Sequence, residues 1–136
     1  MLFSKRFLII LLFFFVTVAG CKSTAKPSLT VSGLAFYNDA NSTILNIKLT
    51  VVESAKMVSC NIVEPQSYCG TGFPQARYQG ADLMLSWQTP QGEIISRPVQ
   101  LAQPDTFDAS KRYAAVIKFT DTANFEAFFT INPRPF

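Results

Sequence analysis

The residue types that could perform chemistry in this chain are few, and the three cysteines are the most informative of them. The sequence of 136 residues contains Cys21, Cys60 and Cys69 and no histidine. Without histidine there can be no Ser-His-Asp triad, no histidine general base and no histidine metal ligand. The carboxylates are scattered over turns and strand ends, and no glycine-rich phosphate loop leads into a helix. We therefore predict that the protein is not an enzyme and has no catalytic residues, metal site or cofactor.

Cys21 ends the one strongly hydrophobic stretch of the chain. A basic pair at residues 5–6 precedes an apolar run over residues 7–18, and small residues follow. This order of a basic, an apolar and a small-residue segment is that of a secretory signal peptide. A transmembrane helix needs about 20 apolar residues, and this run meets Lys22 before reaching that length. The tetrapeptide Val18-Ala19-Gly20-Cys21 resembles the lipobox of bacterial lipoproteins.

The lipobox resemblance implies how the chain is processed and in which membrane it is anchored. Signal peptidase II would remove residues 1–20, after a diacylglycerol is attached to the Cys21 thiol, and a further acyl chain such as palmitate would modify the new amine. Three acyl chains exceed the roughly two signals that stable anchoring requires. In lipoproteins of this kind an Asp after the cysteine favours the inner membrane, whereas this chain has Lys22. The expectation is a Gram-negative outer-membrane anchor with the domain facing the periplasm.

With Cys21 assigned to the lipid, Cys60 and Cys69 remain as a pair in an oxidising compartment. Their spacing is not that of a Cys-x-x-Cys redox motif, and no histidine is present to complete a zinc site. We therefore predict a disulfide between them. In the chain-entropy model a ring this short stabilises the folded state by roughly 2.5–3 kcal/mol.

Composition limits the mature protein to one small domain. Residues 1–20 are the predicted signal peptide, 21–28 the lipidated cysteine and a polar tether, and 29–136 the domain. Lys5 and Arg6 leave with the signal peptide, so the 12 basic residues become 10 against 9 acidic residues, a net charge of +1. No basic block is present, and we expect no nucleic-acid partner.

Alternating apolar and polar residues predict short strands in the domain. The alternation is clearest over residues 43–53, where Leu45, Ile47, Leu49 and Val51 would share the buried face. The other predicted strands cover residues 29–36, 82–89, 93–101, 112–120 and 125–131, and Pro98 favours a sheet edge for residues 93–101. Five glycines and prolines punctuate residues 58–80, for which we predict a long irregular connection.

Six to seven strands without a helix predict an all-β fold, a two-sheet antiparallel sandwich. Two residues resemble features of immunoglobulin-like domains: Trp87 as a core residue, and Tyr113 in the place of a tyrosine corner. The short interval from Cys60 to Cys69 limits this resemblance to the architecture and assigns no family. A small closed β-barrel is the alternative.

The candidate binding site is the connection over residues 60–80, braced by the predicted disulfide. Tyr68, Phe73, Arg77 and Tyr78 are of the types that anchor protein interfaces, although Phe73 and Tyr78 could instead cover one end of the sandwich. The leading hypothesis is a non-enzymatic envelope lipoprotein that binds another envelope protein as an accessory or assembly subunit. Small outer-membrane lipoproteins of secretion machines are similar in build. The alternative is an inhibitor or small-ligand-binding lipoprotein that protects the envelope.

Overall fold

The structure, a computed structural model, describes Gly20 and residues 27–132. The predicted signal peptide up to residue 19, the lipidation site Cys21, most of the tether and residues 133–136 lie outside the described residues. The described part forms eight strands: β1 (Thr30–Asn38), β2 (Ile44–Val51), β3 (Met57–Val63), β4 (Ser67–Arg77), β5 (Leu83–Gln88), β6 (Ile94–Val99), β7 (Arg112–Phe119) and β8 (Phe125–Thr130).

The strands form two sheets of four. Sheet A has the order β4-β1-β7-β8 and sheet B the order β3-β2-β5-β6. Both sheets therefore have two edges, so the predicted sandwich is confirmed over residues 27–132 and the closed-barrel alternative is wrong. β1 and β7 pair in parallel, and the other strand pairs are antiparallel. Sheet A is therefore mixed rather than purely antiparallel, because β1 runs parallel to β7 on one side and antiparallel to β4 on the other.

The strand count exceeds the prediction because the segment over residues 58–80 is regular. It contributes β3 to sheet B and β4 to sheet A, joined by a tight turn in which Gln66 has a φ of 57°. The irregular connection predicted here is wrong. Gly70, Gly72 and Pro74 occur in the edge strand β4, where a missing ladder hydrogen bond is tolerated, and Pro65 lies in the turn before it. The pairing of β1 with β4 shifts register between Val31 and Gly33 of β1. Opposite this point, residues 73–75 of β4 have no partner in β1.

A β-bulge in β2 changes which of its side chains are buried. Asn46 adopts a φ of 47°, and the pairing of β2 with β5 shifts register between Leu45 and Lys48. One extra residue in the strand turns the side chains before it to the opposite face. Ile44 and Ile47 are consequently both fully buried, and Leu45 is only half-buried. The prediction that Leu45 shares the buried face with Ile47 is therefore wrong.

The predictions for β5 and β6 are confirmed. Leu85 and Trp87 are fully buried, and β6, which contains Pro98, is an edge strand. The Trp87 ring meets Phe119 and Phe125 edge-to-face at centroid distances of 5.3 and 5.7 Å. Its indole N–H donates to the Thr122 carbonyl at 2.8 Å, so the buried ring leaves no polar atom unpaired.

Asn38 joins the two sheets at the end of β1. Its side chain is fully buried, and its amide nitrogen donates to the carbonyls of Ser42 and Val63 at 2.8 and 2.9 Å. The amide oxygen accepts from the backbone N–H of Ala40 at 2.9 Å. The amide therefore fixes the β1–β2 turn against the end of β3, which places β3 beside β4.

Candidate functional site

The strands β3 and β4 form one lateral side of the sandwich, which we call the β3–β4 side. Each is an edge strand of its sheet, and Cys60 of β3 is bonded to Cys69 of β4 with a Cα–Cα distance of 6.4 Å. The predicted disulfide is confirmed, and it joins the two sheets at this side. A short covalent ring here holds the two edges at a fixed spacing.

The β3–β4 side is almost free of charge. Glu64, in the turn between the strands, is the sole charged residue between residues 57 and 76. Natural sheets commonly protect an edge with a charged side chain or a proline. On the opposite side, β6 contains Arg97 and Pro98 and β8 contains Glu126, whereas the one charged residue of β4, Arg77, is the last residue of that strand, and Pro74 lies in its segment without partners in β1. Depletion of charge together with exposed aromatic side chains is typical of the centre of a protein interface.

The four predicted binding residues are not brought into one cluster. Tyr68 and Phe73 lie on β4 with 43% and 39% of their surfaces exposed, and Arg77 is exposed at the end of the strand. Tyr68 faces outward from sheet A, whereas Phe73 lies in the segment of β4 that has no register partner in β1. The candidate surface is therefore an extended strip along β4 rather than a loop tip.

Tyr78 has a structural place in the sandwich. Its ring packs edge-to-face on Phe129 with a centroid distance of 4.8 Å, and its hydroxyl donates to the Leu101 carbonyl at 2.6 Å. Its backbone N–H donates to the Leu29 carbonyl at 2.9 Å. Partial burial raises the pKa of the Tyr78 phenol, so the hydroxyl stays protonated as a donor. Tyr78 thus ties β4 to the start of β1 and to the segment after β6.

Beside β4, the outer face of sheet A contains a shallow groove of about 500 Å³ that sequence reasoning missed. Small residues form its floor: Gly33 pairs with Gly72 and Ala114, and Ala35 pairs with Gly70. Tyr68 and Ile131 are among the larger residues that line it. Ile131 belongs to the predicted strand over residues 125–131, but it lies beyond β8, which ends at Thr130, and it is 54% exposed.

The signal for this groove is the spacing of Gly70 and Gly72. Residues two apart on a strand share a face, so a strand at this position would leave that face without side chains. Because glycines also break regular structure, the prediction for residues 58–80 is an irregular connection, and it contains no groove.

One end of the groove is basic. Thr30 at the start of β1 pairs with Arg77 on one side and with Arg112 on the other. Both arginines are exposed, and because cross-strand partners share a face of a sheet, they lie on either side of Thr30 on one face. Arg112 also lines the groove. Together they give this end a local positive potential.

Tyr113 has the hydrogen bond expected of a tyrosine corner. Its hydroxyl accepts from the backbone N–H of Asp108 at 3.0 Å, which joins the segment before β7 to the strand itself. The Asp108 carboxylate accepts from the hydroxyl and backbone N–H of Ser110 at 2.6 and 2.9 Å, and these bonds lower the pKa of the carboxyl. The Asp108 carboxylate therefore stabilises the turn in which it lies.

Asp121 has a comparable role in the β7–β8 hairpin. Its carboxylate accepts from the Asn124 side chain at 2.8 Å and from the backbone N–H groups of Ala123 and Asn124 at 2.7 and 2.8 Å. The Asn124 side chain contributes most to lowering the pKa of Asp121. Among residues 27–132, no group of three or more His, Cys, Asp or Glu side chains is placed to hold a metal ion.

The comparisons with known proteins leave the family open. No family model matches the chain, and no curated protein matches it. A solved structure, the NMR structure of a protein from Eubacterium rectale, resembles it with 14% sequence identity over 76% of this chain and 88% of that chain. The TM-score of 0.44 is too low to support any functional conclusion. Within the described part of the chain, no helix is long and apolar enough to cross a membrane.

Proposed function

We propose that the protein is a non-enzymatic, lipid-anchored lipoprotein of the bacterial envelope, and that it acts by binding another protein through the β3–β4 side. The observation that carries this proposal is the combination of two neighbouring edge strands with almost no charge. Tyr68 and Phe73 expose aromatic surface there, and Ile62 of β3 is 60% exposed. Burying such a surface against a partner removes apolar area from water without desolvating charged side chains.

The lipid anchor is supported by the tetrapeptide Val18-Ala19-Gly20-Cys21 and by the short distance from Cys21 to the first strand. The domain begins at Leu29, which is fully buried, so the tether between them is seven residues, residues 22–28. Fully extended, such a segment spans at most about 25 Å. The proposed anchor would therefore keep the sandwich close to the membrane surface and to partners in the same membrane.

A non-enzymatic role is supported by the hydrogen bonds of the side chains whose pKa values are shifted. The pKa values of Asp108 and Asp121 are lowered, and their carboxylate oxygens accept from backbone and side-chain donors within their own turns. The raised pKa of Tyr78 accompanies a bond to a backbone carbonyl. Perturbed groups at a catalytic site would instead converge on one cleft.

The partner-binding proposal is tested by photo-crosslinking in living cells. A photoreactive residue is placed at Thr71, exposed on β4, and in a matched strain at Ser96, exposed on β6 at the opposite side of the sandwich. We expect a discrete crosslinked band from Thr71 and none from Ser96. Equal crosslinking from both positions, or from neither, would contradict the proposal.

The anchor is tested separately with Cys21→Ser. We expect this variant to retain its signal peptide and to lack lipid when its mass is measured, because the serine hydroxyl does not replace the thiolate as the acceptor. A lipid-modified Cys21→Ser protein would contradict the assignment of Cys21.

The alternative function, an inhibitor or a small-ligand-binding protein, is supported by the groove on sheet A. Tyr68 in its wall and Arg112 at its end could contact a small ligand or the cleft of a lytic enzyme. Titration of the protein against envelope-degrading enzymes separates the two. Stoichiometric inhibition that is lost in Tyr68→Ala would favour the inhibitor, whereas unchanged enzyme activity leaves the partner-binding proposal in place.

A further inference from the structure

We propose that the partner seated on β4 is a second copy of this chain, joined edge to edge so that the two A sheets become one continuous sheet. This inference rests on the proposed function of the β3–β4 side as a protein-binding surface, and it names the partner and the register. The two copies would be related by a two-fold axis perpendicular to the sheet, with Gly70 of one β4 opposite Gly70 of the other.

The first support is the direction of the backbone groups of β4. A β-carbon placed on Gly33 would lie 3.2 Å from the Thr71 carbonyl oxygen, and one placed on Gly70 would lie 3.5 Å from the Leu34 carbonyl oxygen. Leu34 and Thr71 are register partners, so these two residues point their carbonyl groups toward one another. The Asn38 carbonyl likewise points toward β4, since it accepts from the Gln66 N–H at 2.8 Å.

Because backbone groups alternate in direction along an antiparallel strand, the residues flanking Thr71 point the other way. Tyr68, Gly70 and Gly72 therefore direct their N–H and C=O groups to the open edge of β4. These are the residues that an added strand would bond.

The second support is that this edge can pair with itself. From Ser67 to Ala76, β4 carries no charged side chain, so two copies can approach without opposing like charges. The one charged residue of β4, Arg77, is its last residue and lies outside the segment that this register would pair, whereas Arg97 lies in the middle of β6. β3, stacked next to β4 at the same side, also lacks charge.

The register follows from matching the outward-facing residues of two antiparallel β4 strands. With Gly70 opposite Gly70, Tyr68 lies opposite Gly72 twice, which gives three directly bonded pairs, each exchanging two hydrogen bonds. Shifting the register by two residues toward the end of β4 would place Tyr68 opposite Pro74, which has no N–H, in the segment without register partners in β1. Shifting it by two residues the other way would place Gly72 opposite Gln66, whose N–H already donates to the Asn38 carbonyl. Both shifts therefore lose a hydrogen bond that the register centred on Gly70 keeps.

The same register explains the two glycines. On the outer face, the Tyr68 ring of each copy would lie against Gly72 of the other and over the groove floor beside it. An aromatic ring packed across a strand pair on glycine shields backbone that the glycine leaves exposed. The 43% exposure of Tyr68 in the single chain supplies the apolar area that this contact would bury.

The two-fold axis is also compatible with anchoring of both copies in one membrane. Antiparallel β4 strands place the two β1 starts, and hence the two tethers, at opposite ends of the joined sheet. If the axis is parallel to the membrane normal, both tethers are at the same height above the lipid, as the symmetry of a two-fold dimer requires.

The test uses the full-length protein, purified from membranes in a mild detergent and measured by native mass spectrometry. Two variants place opposite charges at the centre of the proposed register, Gly70→Lys and Gly70→Glu. Gly70 tolerates a side chain, since an added β-carbon would meet its neighbours at 3.5 Å or more and its φ is not in the left-handed region. Ser96→Lys on the β6 edge is the matched control.

We expect the unaltered protein and Ser96→Lys to be dimers. Each Gly70 variant alone should dissociate roughly tenfold or more readily, because like charges then lie directly opposite one another. An equimolar mixture of Gly70→Lys and Gly70→Glu should recover the dimer as a mixed pair. The buried Trp87 reports on folding of each variant through its fluorescence.

Dimers that survive in both single variants, or recovery of Gly70→Lys by Gly72→Glu and not by Gly70→Glu, would overturn the proposed register. A monomeric unaltered protein would overturn the second-copy proposal. If that monomer still crosslinks a different protein from Thr71 in cells, the proposed function stands while the second-copy inference fails. If crosslinking from Thr71 is also absent, both fail.

Discussion

Reduction of the Cys60–Cys69 disulfide should lower the stability of the domain by an amount set by the length of the ring it closes. The two cysteines are separated by 9 positions in sequence, and the bond joins an edge of sheet A to an edge of sheet B. The chain-entropy relation gives about 2.5–3 kcal/mol for a ring of this size. Cys60 is 7% exposed and remains packed in the core after reduction, so the packing contribution should change little.

The assay is urea unfolding of the oxidised and the reduced protein, followed by Trp87 fluorescence. For a small domain with a urea slope of about 1–3 kcal/mol per molar, the expected loss moves the midpoint down by roughly 1–3 M. A Cys60→Ala, Cys69→Ala double variant is the control, because reductant should leave its midpoint unchanged. A shift of less than about 0.3 M on reduction would refute the view that the ring constrains the unfolded chain at this side.

Three further substitutions test the packing and the turns. Trp87→Phe should destabilise by roughly 2–3 kcal/mol in urea unfolding followed by circular dichroism, since this variant lacks the chain's one tryptophan; it removes buried ring volume and leaves the Thr122 carbonyl unpaired. An effect under about 0.5 kcal/mol would contradict this. Tyr78→Phe should cost about 1 kcal/mol through loss of the bond to Leu101, with Tyr68→Phe as an exposed control that costs less. Asp121 has a lowered pKa, so its stabilising effect is present above the ordinary carboxyl value of 3.8 and is lost as pH falls through the lower folded value. Thermal unfolding should accordingly show Asp121→Asn less stable than the unaltered protein at neutral pH and equal to it in strong acid, and a difference that persists in acid would contradict this origin.

Much of the fold could be predicted from the sequence because several strands have one buried and one exposed face. β5 shows the alternation clearly, with Leu85 and Trp87 buried, and Pro98 correctly indicated an edge position for β6. The disulfide could be predicted from the count and spacing of the cysteines. These features depend on the local order of apolar and polar residues, on a single proline and on the number of cysteines, all of which can be read from the sequence.

The remaining features depend on long-range pairing. Asn46 appears as an ordinary polar residue of an alternating strand, and only the mismatch between β2 and β5 reveals the bulge that turns Leu45 outward. β4 is exposed along nearly its whole length, so its sequence shows no alternation of apolar and polar residues that would predict a strand. The parallel pairing of β1 with β7 likewise has no local signal, although both strands are apolar on two faces.

The candidate site could be predicted only in its location. The sequence directed attention to residues 60–80 and to Tyr68, whereas the groove needed the pairing of Gly33 with Gly72 from a distant strand. The separation of Tyr78 from the other candidates also needed its ring contact with Phe129.

The central proposal, that a protein covers the open edge of β4, is tested most directly by amide hydrogen exchange on the protein in its native membranes. The N–H groups of Tyr68, Gly70 and Gly72 should point out of the sheet and would exchange quickly if that edge met only water. We predict that they exchange slowly in membranes and quickly in the protein dissociated by Gly70→Lys. Exchange in membranes as fast as that of the outward N–H groups of β6 would contradict the proposal.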